Sequence, residues 1–248
     1  MLAYPASLLN IDLVILDPLP NAPAKQVLNP IAKPNPNSIP HIDGSFSDSK
    51  AISQLASQVD ILTVEIEHVN VDALEETQKS QKVDVQPAPS TLRTIQDKYL
   101  QKEWLSGHSI PVAPYLVVEG GEAGVKEAGE KLGYPFMLKS RTLAYDGRGN
   151  HVVKSAEEAT SSLEALGAGP NIDSSSRRTL YAEKWIPFDK EIAVMVVRGK
   201  NGEVRSYPPV ETVHRDSICH LVFAPLRAED AKVSRFLSRR WTRYSMCV

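Results

Sequence analysis

The sequence predicts an α/β protein in which a small parallel, doubly wound domain is followed by an α+β domain. Two observations support this fold class. In the first third of the chain, apolar runs that suit buried strands alternate with helical patterns, which favours a parallel sheet. Towards the end, apolar strands follow one another across short turns, which favours an antiparallel meander. The 248 residues are enough for two domains of ordinary size.

Composition and charge place the chain among ordinary globular proteins and exclude several partners. Hydrophobic residues make up 42% and charged residues 23% of the chain, which is close to the average. The net charge of -2 gives no electrostatic basis for binding nucleic acid or an anionic membrane, so we expect neither. Cys219 and Cys247 form neither a disulfide framework nor a metal motif. Residues 1–16 make a poor signal peptide, and we expect a cytoplasmic protein.

The first domain is expected over residues 1–88. Residues 11–17 (IDLVILD) and 61–67 (ILTVEIE) are predicted strands, and Asp48 is the predicted N-cap of a helix. A second helix is predicted over residues 71–80. The remaining predictions are a proline-rich loop over residues 18–40 and a short strand over residues 83–86.

Three acids lie at the ends of these predicted strands. Asp17 either binds a polar ligand group at the carboxyl end of its strand or is a turn residue before Pro18. Glu65 and Glu67 are two residues apart, so on a strand they share one face. They either contact a hydroxylated or cationic ligand or form a solvated strand end. A doubly wound nucleotide-binding unit usually opens with a glycine-rich turn, which this sequence does not show at its start.

The second domain is expected over residues 89–233, with a basic tail over residues 234–248. A helix is predicted from the N-cap Ser90, and it carries Lys98 and Lys102 one turn apart. Gly107 is its predicted end. Further on, the sequence predicts a strand over residues 115–119, a helix over 122–132, a strand over 136–138 that delivers Lys139, and a helix over 156–166.

A basic, glycine-rich loop follows Lys139. Two glycines, Gly147 and Gly149, bracket Arg148, so the backbone can turn tightly and present N–H groups. Such a loop suits a polyphosphate, because backbone donors surround the oxygens while lysine and arginine neutralise charge. The alternative is a glycine hairpin with solvated charges.

Acids and a histidine follow on later strands. Glu183 lies in the predicted strand over residues 180–186, Glu191 begins the next strand, and His214 lies between the last two. Basic groups for phosphates and carboxylates for ribose hydroxyls are the parts that an adenine nucleotide site needs. The sequence contains no GxxxxGK[ST] and no GxGxxG, which excludes the P-loop and Rossmann types of nucleotide site.

Several segments together resemble a known family. LKSRTLAYDGRGN, LYAEKWIPFDKEIAV and YPPVETVH are similar to carboxyaminoimidazole ribonucleotide synthetase, an ATP-grasp enzyme of de novo purine synthesis. ILTVEIEHVN and TIQDKYLQKEWL resemble its fungal form most, which is the N-terminal part of phosphoribosylaminoimidazole carboxylase. The resemblance implies a pre-ATP-grasp domain followed by an incomplete ATP-grasp domain. It also implies ATP with Mg²⁺, the substrates aminoimidazole ribonucleotide and bicarbonate, and a homodimer.

The resemblance implies roles for individual residues. Lys98 and Lys139 contact the ATP phosphates, Glu191 takes the ribose hydroxyls and His214 lies beside the nucleotide. Glu65 and Glu67 lie near the ribonucleotide. Tyr145, Asp146 and Arg148 are the catalytic residues facing ribonucleotide and bicarbonate. The phosphate-covering loop is Ala144, Tyr145, Asp146, Gly147, Arg148, Gly149 and Asn150, and the adenine-reading segment is Glu183, Lys184, Trp185 and Ile186.

The chain also departs from the family pattern. The family carries two acidic Mg²⁺ ligands beyond the segment that matches here, so no metal ligand is assigned among the residues of this chain. An inactive nucleotide-binding or interaction remnant of the enzyme is therefore the alternative function. A biotin-dependent ATP-grasp carboxylase would have a different loop in place of AYDGRGN. We also expect an exposed apolar patch near Val194, Val196 and Leu221.

Overall fold

The computed structural model describes residues 2–28, 39–81, 83–144, 148–167, 179–215 and 218–227. The chain divides into two compact units, Met1–Gln96 and Asp97–Val248. The division lies after Gln96, later than the expected boundary at residue 88, because Leu92 and Ile95 pack with the core of the first unit. The basic tail expected over residues 234–248 lies outside the described residues.

The first unit is a parallel α/β unit, as predicted. Its helices are α1 Ala3–Leu8, α2 Pro23–Leu28, α3 Ser49–Ala56, α4 Val71–Gln81 and α5 Pro89–Gln96, and its strands are β1 Leu16–Asp17, β2 Ile42–Asp43, β3 Ile61–Thr63 and β4 Asp84–Gln86. Strand β1 pairs parallel with β2, and strand β3 pairs parallel with β4, while helices cover the strands. None of the described helices in the chain is long and apolar enough to cross a bilayer.

Strands β1 and β3 are much shorter than the apolar runs that predicted them. Each pairs along one edge, and among the described residues no strand pairs along its other edge. A residue gains a regular ladder only where a neighbouring strand supplies partners, so the rest of each run is irregular. A cavity of about 220 Å³ lies between β1 and β3, and Val14, Leu16 and Leu62 are among its apolar lining residues.

The sequence-based prediction contained neither α1 nor α2. It placed a loop over residues 18–40, where α2 lies. Pro23 begins α2, a position where the fixed φ of proline favours a helix. Lys25 of this helix is 2% exposed, and its Nζ donates to the carbonyls of Asp17 and Ile42 and to the Asp43 carboxylate at 2.6 Å. The Asp17 carboxylate accepts the N–H of Leu19 at 2.9 Å, as a turn residue does.

The second unit contains two antiparallel sheets, a hairpin and three helices. Its helices are α6 Lys98–Gly107, α7 Glu122–Leu132 and α8 Ala159–Ala165, the last preceded by a 3₁₀ turn over Ala156–Glu158. Its strands are β5 Tyr115–Val118, β6 Phe136–Ser140, β7 Asn150–Val153, β8 Leu180–Lys184, β9 Glu191–Ala193, β10 Val196–Arg198, β11 Val204–Ser206, β12 Val210–Arg215 and β13 Ile218–Phe223. The four-stranded sheet has the order β5-β8-β6-β7, the three-stranded sheet has the order β13-β12-β9, and β10 and β11 form the hairpin.

The four-stranded sheet has one face in the core of this unit. Phe136 and Leu138 of β6 are fully buried there, together with Val125 and Ala128 of α7. Side chains alternate along a strand, so Met137 and Lys139 lie on the opposite face. The burial of two apolar residues thus decides which way Lys139 points.

Two predicted elements are divided in the structure. The helix predicted from Ser90 is two helices, because Asp97 has an extended backbone and caps α6. The strand predicted from Glu191 is also split, since β9 pairs with β12 whereas β10 pairs with β11. The apolar patch expected nearby is present in part: Leu221 is 45% exposed, whereas Val194 and Val196 are half-buried.

Candidate nucleotide site

The start of helix α6 is fixed to the end of strand β6. The Asp97 carboxylate accepts the N–H of Tyr99 at 2.9 Å and of Leu100 at 3.2 Å. The same carboxylate accepts hydrogen bonds from two nitrogens of Arg141, Nη2 at 2.6 Å and Nε at 3.0 Å. The backbone N–H of Lys98 donates to the Arg141 carbonyl at 2.8 Å. These contacts hold Lys98 beside the chain that carries Lys139, so the two predicted phosphate-binding lysines belong to one local arrangement.

Lys139 lies within β6, one residue before its end, rather than just beyond the strand as predicted. Its Nζ is 2.8 Å from Oε2 of Glu183 on the neighbouring strand β8. The direct partner of Glu183 across the two strands is Met137, so Lys139 is its diagonal neighbour on the same face. The register of the two strands therefore creates this contact.

A second lysine completes the surroundings of Glu183. Nζ of Lys102, on helix α6, lies 2.5 Å from Oε1 of Glu183. The Glu183 side chain is only 15% exposed, and burial alone would raise its pKa. The hydrogen bonds from Lys102 and Lys139 outweigh that effect and lower the pKa below its ordinary value. The carboxylate is therefore ionised and held by one lysine on each oxygen.

The predicted phosphate-covering loop is described at its two ends. Tyr145, Asp146 and Gly147 lie outside the described residues. Gly149 has φ +85°, and a Cβ there would be 2.8 Å from the Cβ of Ala144. Its carbonyl accepts the N–H of Ser140 at 2.8 Å, and this bond closes the hairpin of β6 and β7. Arg148 is exposed next to Gly149, and Asn150 pairs with Lys139 across the hairpin.

The predicted adenine-reading segment leaves the sheet at the end of β8. The backbone N–H of Lys184 still donates to the Pro114 carbonyl at 2.8 Å, as the last contact of the strand. Beyond it, Trp185 and Ile186 are both exposed. The strand is thus two residues shorter than predicted, and the chain beyond it lies outside the regular ladder.

Glu191 and His214 lie together in the three-stranded sheet. Glu191 begins β9, and its partner across the strand pair is Thr212 of β12. The pairing brings Oε2 of Glu191 to 2.5 Å from Nδ1 of His214. The register of β12 with β13 shifts between Val213 and His214, and it places the exposed free thiol of Cys219 opposite His214.

Glu65 and Glu67 belong to the first unit and lie beyond the end of β3, not on a strand as predicted. The Glu65 carboxylate accepts the N–H of Leu2 at 2.8 Å. Burial raises the pKa of Glu65, and the Leu2 hydrogen bond contributes to a larger opposite effect, so this pKa is below its ordinary value. The Glu67 carbonyl accepts from the Gln96 side chain at 2.6 Å.

Three residues of this site were given no role by the sequence: Asp97, Lys102 and Arg141. Lys102 had one usable signal, since its spacing of four residues from Lys98 places both on neighbouring turns. The Asp97–Arg141 pair joins residues 44 positions apart, and no local pattern indicates it. Residues 2–28, 39–81, 83–144, 148–167, 179–215 and 218–227 contain no cluster of three or more His, Cys, Asp or Glu side chains that could hold a metal ion.

The chemistry of this unit suits an anionic nucleotide. Lys98 and Lys139 supply cations from a helix start and a strand that are fixed to each other. Glu191 supplies a carboxylate that can accept from hydroxyls, and His214 supplies an adjacent ring. Because they lie on elements rather than on loops, the positions of these groups are set by the fold.

Comparison with known proteins agrees with this interpretation. Residues 103–239 match the family model of the ATP-grasp domain, and residues 1–96 match that of the ribonucleotide synthetase preATP-grasp domain. The phosphoribosylaminoimidazole carboxylase of Ogataea methanolica is 51% identical over 231 residues, which cover 93% of this chain and 39% of that protein. The chain thus spans about two fifths of the length of this relative.

Two solved structures from Aspergillus clavatus extend the match to three dimensions. Carboxyaminoimidazole ribonucleotide synthase complexed with ATP is 42% identical, with a TM-score of 0.85, over 99% of this chain and 59% of that chain. The complex of N5-carboxyaminoimidazole synthase with ADP and 5-aminoimidazole ribonucleotide is 41% identical, with a TM-score of 0.83, over the same shares of the two chains. The chain therefore belongs to the ATP-grasp family, in the branch of the carboxyaminoimidazole ribonucleotide synthetases and fungal phosphoribosylaminoimidazole carboxylases.

Proposed function

We propose that this chain carries the ATP site of an enzyme that carboxylates aminoimidazole ribonucleotide with bicarbonate in purine synthesis. The observation that supports it most is the joint placement of Lys98 and Lys139, because the contacts of Asp97 and Lys98 with Arg141 fix the start of α6 to the end of the strand that carries Lys139. The similarity to enzymes solved with ATP, and with ADP and 5-aminoimidazole ribonucleotide, supports the same substrates here.

The reaction would have two steps. The γ-phosphoryl group of ATP passes to a bicarbonate oxygen, which gives carboxyphosphate and ADP. The exocyclic amine of the ribonucleotide then attacks the carboxyl carbon and loses a proton, the bond from that carbon to the phosphate oxygen breaks, and phosphate leaves. A protein assists phosphoryl transfer mainly by positioning the groups and stabilising charge. Because carboxyphosphate is labile in water, exclusion of water also matters.

The residues of this chain have distinct roles in that scheme. Lys98 and Lys139 bind phosphate oxygens, and Glu191 accepts from the ribose hydroxyls with His214 beside the nucleotide. Glu65 and Glu67 bind towards the ribonucleotide. Tyr145, Asp146 and Arg148 face the ribonucleotide and bicarbonate, the loop over residues 144–150 closes over the phosphates, and residues 183–186 contact the adenine.

We expect ATP to enter with Mg²⁺, which neutralises phosphate charge when bound. No residue of the described chain is assigned to the metal, and none of the roles above depends on one. A cytoplasmic location remains a prediction of the sequence, and a homodimer remains a prediction of the family resemblance. Sedimentation of the purified chain would test the dimer.

Calorimetry with ATP and Mg²⁺ tests the nucleotide site directly. Lys139→Ala and Glu191→Ala should each weaken ATP binding by about tenfold or more, since each removes a charge-assisted contact. Lys126→Ala is the matched control, because Lys126 forms an exposed pair with Glu122 in the same unit. Equal affinities in all four proteins would contradict the proposal.

Turnover is a separate measurement. Phosphate release that needs both aminoimidazole ribonucleotide and bicarbonate would identify the carboxylation. Binding of ATP without such turnover would favour the inactive nucleotide-binding remnant. The two assays thus distinguish the two functions that the sequence leaves open.

A further inference from the structure

One half-buried carboxylate of the second unit is shared by two lysines. Oε2 of Glu183 is 2.8 Å from Nζ of Lys139, and its Oε1 is 2.5 Å from Nζ of Lys102. The side chains of Glu183 and Lys102 are 15% and 16% exposed, whereas that of Lys139 is 28% exposed. Lys102 is therefore the more enclosed of the two cations, and its ammonium also lies 5.9 Å from the ring centre of Tyr115.

The two lysines come from different elements. Lys139 is on β6, in the same sheet as Glu183, whereas Lys102 reaches it from helix α6. Under the proposed function Lys139 binds phosphate, so its ammonium is shared between Glu183 and the nucleotide. Loss of its cation raises the free energy of a carboxylate this enclosed, because little water can replace the lost contact.

We propose that Lys102 is a positioning residue that keeps Glu183 compensated when Lys139 turns to the phosphates of ATP. The inference rests on the proposed ATP site and goes beyond it, since it assigns a role to a residue that does not itself touch the nucleotide. Without Lys102, Glu183 would retain Lys139 as its one remaining lysine. Lys139 would then be less available to phosphate.

The competing explanation is a purely structural ion pair between α6 and β8. A structural pair and a positioning pair both predict that Lys102→Met lowers stability. They differ in the ATP affinity of the folded variant. A purely structural pair leaves that affinity unchanged, whereas the positioning model predicts that Lys102→Met weakens ATP binding and that Glu183→Gln removes this loss.

The test is a double-variant cycle read by calorimetric ATP affinity. We expect Lys102→Met alone to weaken ATP binding about tenfold, which lies within the range of coupling between contacting charged residues. In the Glu183→Gln background, Lys102→Met should change the ATP affinity by less than about twofold. Lys102→Arg keeps the charge and should bind ATP better than Lys102→Met. Lys126→Met, at the exposed Lys126–Glu122 pair, is the control for the loss of one positive charge.

Each outcome is informative. If the unchanged protein does not bind ATP, the proposed function itself fails, and the role of Lys102, which rests on it, fails with it. If it binds ATP but Lys102→Met binds equally well, or if Lys102→Met weakens binding equally in both backgrounds, the positioning role is overturned. Should Lys102→Met fail to fold, Lys102→Gln replaces it, because glutamine lacks the charge but can still donate a hydrogen bond to Glu183. An ATP affinity of Lys102→Gln equal to that of the unchanged protein would overturn the positioning role, whereas a weaker affinity that Glu183→Gln restores would support it.

Discussion

At the scale of single residues, burial separates ion pairs that hold the site from those on the surface. The Arg141 and Asp97 side chains are 20% and 16% exposed, and they make a multidentate contact that also caps a helix. Arg93 contacts Asp72 and Glu75 with comparable distances, but its side chain is 48% exposed. Enclosed, bidentate contacts contribute more to stability than exposed pairs, which water and salt screen.

Arg141→Lys tests this difference. The change keeps the charge but removes the planar fork, so we expect a loss of about 1–2 kcal/mol in the free energy of unfolding. Urea denaturation is the measurement. Arg93→Lys is the matched control and should leave the urea midpoint nearly unchanged. A loss as large for Arg93→Lys as for Arg141→Lys would contradict the role assigned to burial.

The lowered pKa of Glu183 predicts a dependence of stability on pH. A carboxyl with a lower pKa in the folded protein stabilises the fold at pH values above its unfolded pKa, here 4.5. That stability is lost as the pH falls through the folded pKa, because protonation ends the attraction to Lys102 and Lys139. Unfolding free energies measured from pH 7 downwards should therefore fall more steeply below pH 4.5 than those of Glu183→Gln. Parallel profiles would mean that Glu183 is not held in this way.

Sequence reasoning selected candidate site residues by their type and order, but it could not indicate their contacts. Lys139, Glu191 and His214 could be selected because their types and order match a nucleotide site. The contact of Lys102 with Glu183 spans 81 positions, and it exists only because β8 lies beside β6 in the sheet. No pattern within one segment contains that information.

At the scale of elements, local signals set the bounds of one helix, whereas long-range pairing decided the lengths of two strands. Helix α7 has the bounds Glu122–Leu132 that its sequence predicts, since Gly133 follows with φ +80° and ends it. Strands β1 and β3 are shorter than their apolar runs because each is paired along one edge among the described residues. The length of a helix depends on the residues of the helix itself, whereas the length of a strand depends on pairing with a neighbouring strand.

The hairpin of β6 and β7 depends on one glycine. Gly149→Ala adds a Cβ that would lie 2.8 Å from that of Ala144, at φ +85°, so we expect it to destabilise the protein by at least about 1 kcal/mol and to weaken ATP binding. Gly107→Ala is the matched control, because nothing lies within 4 Å of an added Cβ at the end of α6. Gly107→Ala should leave the midpoint temperature of thermal unfolding unchanged or raise it. Normal ATP affinity and stability in Gly149→Ala would show that the hairpin tolerates the distortion.

At the scale of the whole molecule, each of the two units has its own hydrophobic core. The first core includes Leu62 and Leu74, and the second includes Phe136 and Leu180. A ligand that binds one unit stabilises that unit by mass action, so its effect should be local if the two units unfold separately.

Hydrogen exchange with and without ATP measures this. We expect the amides of β6 and β8 to exchange more slowly when ATP is present, because the proposed phosphate and adenine contacts lie on those strands. The amides of β3 and β4 should change little. Equal slowing in both sets would mean that the two units open as one cooperative body.

The free thiol of Cys219 offers a direct view of the nucleotide site. It is exposed on β13, opposite His214, which in turn contacts Glu191. A thiol-reactive fluorophore attached there would be separated by strand β12 from the carboxylate that we expect to receive the ribose. With Cys247→Ser, Cys219 would be the single cysteine of the sequence, and its emission would become an optical signal for nucleotide arrival.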